Sequence, residues 1–352
     1  MKISSHISSL RNRSHTAEAG TPQLRSREAK TDSEKKSLRR FHLCGVKFWI
    51  AACFTLFASL LHAAPRALDV VIVLGAPGTE EYGKKFKTQR DAWTNACTKA
   101  GITPAVVSGE KTTEDLEKRI TASDPAHSLW LVLIGHGTFD GREAKFSAEG
   151  PDFDAKQLAG WIKPLKQEVA VIHTASASGG FLKSLSGPDR VIITSTKSPD
   201  EVFYARFGEY FAEAIGGLPA ADLDQDKQVS LLEAFRYSSK ATAIFYENDG
   251  RLATEHALLD DNGDGVGTRS EVLEADAVAA PGTVLDGARA AQMVLVLSAE
   301  EQQLTDAQRS TRDALERELN KLKAERSKLR EDEYYMKLES LMRKLGGVYT
   351  KS

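Results

Sequence analysis

Leu129-Trp130-Leu131-Val132-Leu133-Ile134-Gly135-His136-Gly137 and Val169-Ala170-Val171-Ile172-His173-Thr174-Ala175-Ser176-Ala177-Ser178-Gly179-Gly180 are the two stretches whose reading decides the fold. Each is an apolar run of strand length that closes on small residues and one chemically capable side chain. Runs that are apolar at every position, rather than at alternate ones, fit parallel strands covered on both faces. Sites in open α/β sheets form just beyond the carboxyl ends of such strands. His136 and Ser176 are therefore expected side by side at the sheet edge, a base next to a nucleophile.

The flanking sequence alternates between strand and helix. Ala67 to Leu74 reads as a first strand, closed by Gly75-Ala76-Pro77-Gly78. That turn lacks the Rossmann and Walker spacings, so it is a plain strand-to-helix turn. Thr79 to Lys99 reads as a helix stopped by Gly101, and Pro104 to Val107 as a second strand. Thr113 to Thr121 is a short helix, with Thr112, Thr113 and Glu114 as its cap. After the His136 strand comes a loop rich in Asp and Gly, then a helix from Lys156 to Leu165. Asp189 to Thr196 is a further strand and Val202 to Ile215 a further helix. This order predicts an α/β domain over residues 65–217, a doubly wound and mostly parallel sheet.

The two strand ends resemble the caspase-like cysteine peptidases, most closely the legumain (hemoglobinase) branch. That family carries His-Gly after one strand and Cys-x-Ser-Gly after the next, at an interval close to the 40 residues found here. The resemblance covers roughly residues 68–216. It implies that His136 is the catalytic histidine and that the N–H of Gly137 helps form the oxyanion hole. Ser178 and Gly179 match the Ser-Gly that follows the nucleophile. At the nucleophile position itself this chain has Ser176 where the family has Cys. Legumain-like enzymes favour Asn or Asp before the cut, which implies a basic specificity pocket; Arg206 lies in a region able to contribute.

A thiol ionises near pH 8.5, so histidine alone can activate it. A serine hydroxyl is much harder to deprotonate, and serine hydrolases commonly add a carboxylate that fixes the histidine tautomer. Asp140 lies four residues beyond His136 and is one candidate. His173 is either a second base or a buried, hydrogen-bonded ring. Three functional readings stay open: a catalytically silent domain that binds protein or peptide, a serine-dependent peptidase or acyl-transfer hydrolase using a His136–Ser176 dyad, and an unrelated role on the same fold.

The chain has 352 residues, 41% hydrophobic and 27% charged, enough for one sizeable core plus appendages. Residues 1–64 carry a net charge of +7 and the remainder −9. An acidic body argues against nucleic acid as a partner. The basic segment ends in the uncharged run Phe48 to Leu61, followed by His62-Ala63-Ala64-Pro65. Fourteen residues are short for a bilayer span but suit a signal-peptide core with a small-residue cleavage region. The expectation is export, periplasmic or extracellular. The alternative is a membrane anchor through residues 48–61, the only membrane association the sequence offers. Cys44 and Cys53 fall in this segment, so the mature chain keeps Cys97 alone and has no internal disulfide.

Residues 218–275 hold two acidic loops. Asp222, Asp224, Asp226, Gln228, Ser230 and Glu233 have EF-hand spacing: three oxygens at alternate positions, a backbone carbonyl at Gln228, and a twelfth-position Glu that grips with both oxygens. Leu231 to Tyr246 continues as the exiting helix. Asp260, Asn262, Asp264, Val266 (through its carbonyl), Thr268 and Glu271 repeat the pattern 38 residues on, the spacing of a paired arrangement. The expected cofactor is Ca2+; the alternative is a pair of solvated acidic turns. Lys227 stands where the sharp turn favours Gly, Gly267 where a β-branched residue usually pairs the loops, and Gly216-Gly217-Leu218-Pro219 interrupts any entering helix.

A linker over 276–297 leads to Ser298 to Leu345, rich in Glu, Lys, Arg and Leu and free of Pro and Gly. Leu315, Leu322, Leu329 and Met336 recur every seven residues, with Arg326 and Glu333 breaking the intervening seam. One long helix is expected, either packed back on its own domain or forming an oligomer through a coiled coil.

Overall fold

Leu68–Leu74, apolar at every position but Asp69, form β1, and Ser128–Ile134 form β3 beside it. With β2 (Ala105–Val107), β7 (Val169–His173) and β8 (Arg190–Thr194) they make five parallel strands. The antiparallel strand β9 (Leu258–Asp260) closes one edge, giving the order β2-β1-β3-β7-β8-β9. The computed structural model describes residues 67–273 and 285–350, which lie within one compact unit. The apolar segment 48–61, Cys44 and Cys53 lie outside the described residues, as does part of the 276–297 linker. Among the described residues no helix is long and apolar enough to cross a membrane.

Alternate residues of each central strand feed two cores, one on each face. Val70 and Ile72 pack with α1 (Glu80–Lys99), α5 (Phe207–Ala214) and α6 (Leu231–Asn248), through Trp93, Phe211 and Phe235. Val71 and Val73 pack with α2 (Thr112–Thr121), α3 (Ala155–Ile162) and α4 (Gly179–Leu185), through Leu116, Leu158 and Phe181. Each of these fully buried large side chains contributes about 1.5–3 kcal/mol of transfer free energy. The fold is the doubly wound, mostly parallel α/β class read from the sequence.

Several local expectations are corrected. The hydroxyl of Thr112 donates to the Gly109 carbonyl, so α2 has no side-chain cap. The loop after His136 is itself a sheet: β4 (Gly137–Phe139), β5 (Ala144–Phe146) and β6 (Phe153–Asp154), all antiparallel. Val202 to Arg206 is not helical. The Glu255 carboxylate accepts the backbone N–H groups of Arg206 and Phe207 at 2.8 and 3.0 Å, and α5 starts at that distant cap. The sixth strand of the sheet comes from the stretch between the two acidic loops, so the sheet extends past the boundary expected at residue 217.

The tail is two helices, not one. α7 (Asp306–Ala324) and α8 (Glu331–Tyr349) are joined through a 3-10 turn at Arg326–Lys328. The Gln308 side chain reaches the Val348 carbonyl, so the pair is antiparallel. The chain turns where the heptad fails: Arg326 starts the turn and Leu329 is extended. Leu322, Tyr334 and Leu341 are buried against each other, with Leu315, Leu319 and Leu329 packed around them, while Met336 is exposed. The leucines of the heptad are thus covered within the chain by the neighbouring helix. We expect Leu341→Asp to raise tryptic cleavage at Arg326–Lys328 severalfold while leaving the main unfolding transition in place. A change of oligomeric state on the same substitution would show instead that the leucines face a partner.

Candidate functional site

Five successive residues of β3 pair with the residue 40 further along in β7, from Leu129 with Val169 to Leu133 with His173. Extended past the strand ends, that register sets His136 opposite Ser176. Thr174 N–H donates to the Leu133 carbonyl at 2.9 Å and carries the pairing one step further. The two residues singled out in the sequence are therefore brought together by sheet geometry.

The hydroxyl of Ser176 does not point at the imidazole. It accepts the Gly137 N–H at 3.0 Å and donates to the Gly137 carbonyl at 3.1 Å. Ser176 is only 2% exposed. A Cβ on residue 137 would collide with the Ser176 carbonyl oxygen, so glycine is required there. Among the described residues no hydrogen bond joins His136 to Ser176.

His136 is held by other means. Its ring meets Tyr82 edge-on at 4.6 Å and Phe86 at 5.1 Å, with Tyr204 at 6.1 Å. Burial pushes its pKa down, opposed by a hydrogen bond to the Pro77 carbonyl. The imidazole is therefore neutral at pH 7, with its N–H directed at Pro77. This is the orienting group sought among carboxylates. Asp140 does not serve: it is exposed and accepts the N–H groups of Arg142 and Glu143 in its own turn. Pro77 was legible only as part of a turn; its place at the carboxyl end of β1, adjacent to β3, is the signal. The guanidinium of Arg206 lies 3.9 Å above the Phe245 ring on α6. Burial pushes the Cys97 thiol up to about 12, so it is a packed core residue and no nucleophile.

Beyond Ser176 the chain turns sharply into α4. Ala177 takes φ 55, a left-handed backbone that costs about 1–2 kcal/mol for a residue with a Cβ. Its N–H donates to the Glu201 carbonyl at 2.8 Å. Ser178 is buried and hydrogen-bonds the hydroxyls of Ser195 and Thr196, both at 3.1 Å. A Cβ on Gly179 would press on the Lys197 backbone. Ser178 and Gly179 hold the turn against the segment after β8.

The acidic loops have the expected local shape. Asp222, Asp224 and Asp226 bring carboxylate oxygens within 4.8 Å of one another. Asp222 Oδ1 is buried with no hydrogen-bond partner, an orphaned acceptor that suits a cation. Burial, together with the charges of Glu233, Asp226 and Asp222, pushes the Asp224 carboxyl up. Lys227 adopts φ 69, the left-handed turn expected at that position. Glu233 lies at the start of α6 in a capping box with Ser230. In the second loop Asp260 accepts Gly263 and Gly265 N–H, Asn262 accepts Asp264 N–H, and Asp264 accepts Val266 N–H. Val266 is exposed, and Thr268 pairs with Leu259. Two expectations fail. Glu271 is exposed and bound to Arg269 at 2.8 Å. The loops do not pair: Ser230 bridges to Val294 and Thr268 to Leu259, and among the described residues no bridge joins the two loops. Gly267 is pressed against Leu182 of α4, where a Cβ would lie 2.6 Å from its Cδ1, so the second loop docks on the α/β core.

No family model and no curated protein matches the chain. Among solved structures it is similar to caspase-1 from Spodoptera frugiperda, at 11% identity over 56% of this chain and 87% of that one, with a TM-score of 0.37. It is also similar to the Drosophila initiator caspase Dronc, at 12% identity over 58% of this chain and 83% of that one, with a TM-score of 0.38.

His173 is neither a second base nor a hydrogen-bonded ring. It is fully buried between Phe146 and Phe181, with no partner for either nitrogen, and burial pushes its pKa down to about 3. The unfolded chain gains a proton there near pH 6.5, which the folded one refuses until about pH 3. Its contribution to stability is complete above pH 6.5 and falls away as the pH drops towards 3. Between pH 7.5 and 4.5 we expect the wild type to lose ~2–3 kcal/mol more than His173→Leu. Denaturant titrations of both proteins at the two pH values check this; equal losses refute it.

Proposed function

We propose that this chain is an exported, calcium-binding caspase/legumain-like protein whose peptidase-like domain is catalytically silent, or at most weakly active, and serves to bind protein or peptide. One observation supports silence above the others: the Ser176 hydroxyl occupies the Gly137 N–H. On the family resemblance that N–H is the oxyanion donor. Here it is spent on the nucleophile's own oxygen, so attack and oxyanion stabilisation compete for one group. Serine also lacks the easily lost proton that would let His136 act alone.

The second reading is a serine-dependent hydrolase. The register that sets His136 opposite Ser176, and the Pro77 carbonyl that fixes the imidazole tautomer, favour it. Ser176→Cys separates the two, with alkylation by iodoacetamide followed by mass mapping of residue 176. The silent reading expects labelling roughly tenfold or more slower than for an exposed thiol, unchanged by His136→Ala. Fast labelling that His136→Ala slows, with wild-type peptide hydrolysis abolished by Ser176→Ala, would establish the dyad.

Ca2+ is the cofactor proposed for both loops. The donor sets are hard oxygens with several negative charges, which suit Ca2+ over softer ions. In the first, Asp222, Asp224 and Asp226 would hold the ion with Glu233; its role is structural, neutralising carboxylates that repel one another. Calcium at about a hundred times its Kd should stabilise the fold by ~2.7 kcal/mol per site. Melting curves in millimolar calcium and in chelator should differ, with Glu233→Gln removing much of the difference. Identical curves refute the assignment.

A further inference from the structure

We propose that Asp286, rather than Glu271, supplies the twelfth-position carboxylate of the second calcium loop. The proposal rests on the calcium reading above and adds a ligand from outside the loop. The two loops have the same hydrogen-bond pattern. In each, the first-position aspartate accepts the sixth N–H: Lys227 to Asp222 and Gly265 to Asp260, both at 3.0 Å. In each, the third side chain accepts the fifth N–H, and the fifth accepts the seventh. Positive φ falls at positions four and six of both.

The match continues to the closing carboxylate. In the first loop Glu233 accepts the N–H groups of positions two and three, Leu223 and Asp224, on one oxygen. Its other oxygen accepts the position-nine hydroxyl of Ser230. In the second loop the N–H groups of positions two and three, Asp261 and Asn262, reach one oxygen of Asp286 at 2.9 and 3.1 Å. The other oxygen accepts the position-nine hydroxyl of Thr268 at 2.5 Å. Asp286, 15 residues beyond Glu271, reproduces these three contacts of Glu233, though not the further bond that Glu233 accepts from the Ser230 backbone N–H.

The substitution has a physical cause. Glu233 is delivered by the first turn of α6, an 18-residue helix. The second loop exits into a three-residue 3-10 turn, Ser270–Val272, which leaves Glu271 on the surface. Asp286 is instead fixed by a reciprocal clasp: Asp261 accepts the N–H groups of Gly287, Arg289 and Ala290, each at 2.8 Å. Asp286 is 5% exposed, as a closing ligand should be. Its shorter side chain is matched by a backbone that comes to the loop.

Calorimetric titration of the chelator-stripped full-length chain with calcium tests this. Wild type should show two binding events, Glu233→Gln and Asp286→Asn one each, and Glu271→Gln two of unchanged affinity. Asp286→Asn with both events intact, or Glu271→Gln with one lost, overturns the proposal. Circular dichroism reports whether Asp286→Asn folds; if it does not, the exposed Glu271→Gln decides. A wild type that binds one ion, lost in Glu233→Gln, overturns the Asp286 assignment and leaves the first loop standing. No binding at all removes the calcium reading itself.

Discussion

Strands locked side by side by backbone hydrogen bonds cannot slide past one another without breaking the ladder, and that constraint governs the site. The pairing of β3 with β7 holds residues 40 apart in the sequence in lateral contact. Once Leu133 faces His173, the chain has little choice about where His136 and Ser176 emerge. The close approach of Gly137 to the Ser176 backbone follows from the same register, since both strands leave the sheet at one level. Glycine is needed there because two main chains meet, whatever chemistry is carried nearby.

The same logic explains what was legible in the sequence. β1, β3, β7 and β8 are apolar on both faces and announce themselves without knowledge of their neighbours. The 40-residue interval carried the juxtaposition of His136 and Ser176. The strands β4 to β6 were invisible because two- and three-residue strands leave no periodicity to read. The missing turn and a half at the start of α5 was equally hidden, since Glu255, its cap, lies 49 residues away from Arg206. The tail misled for a related reason: a heptad pattern records which residues are buried, not whether the covering surface is another chain or the same one turned back.

Glu271 is the clearest case in which sequence spacing and the folded loop part company. Spacing specifies a ligand only if the exit element delivers it, and a 3-10 turn does not share the geometry of an α-helix. Asp286 had no local signal, because its placement depends on the clasp with Asp261, a long-range contact. Buried polar groups must find partners. The hydrogen bonds of Asp261, Asn262 and Thr268 therefore point to the carboxylate that the spacing could not name.

The shape of the turn around Ser176 is set from outside it. The left-handed Ala177 is restrained by the Glu201 carbonyl. The Glu201 carboxylate in turn accepts the backbone N–H of His256 at 3.1 Å and meets its ring nitrogen at 2.5 Å. His256 lies two residues before β9, the edge strand that leads into the second acidic loop. Strain of about 1–2 kcal/mol at one alanine is thus offset by contacts made by a distant edge of the sheet, not by the side chain at position 176. Such a turn keeps its form whether that position carries a thiol or a hydroxyl. The backbone around Ser176 is therefore held by its surroundings rather than by the side chain it carries.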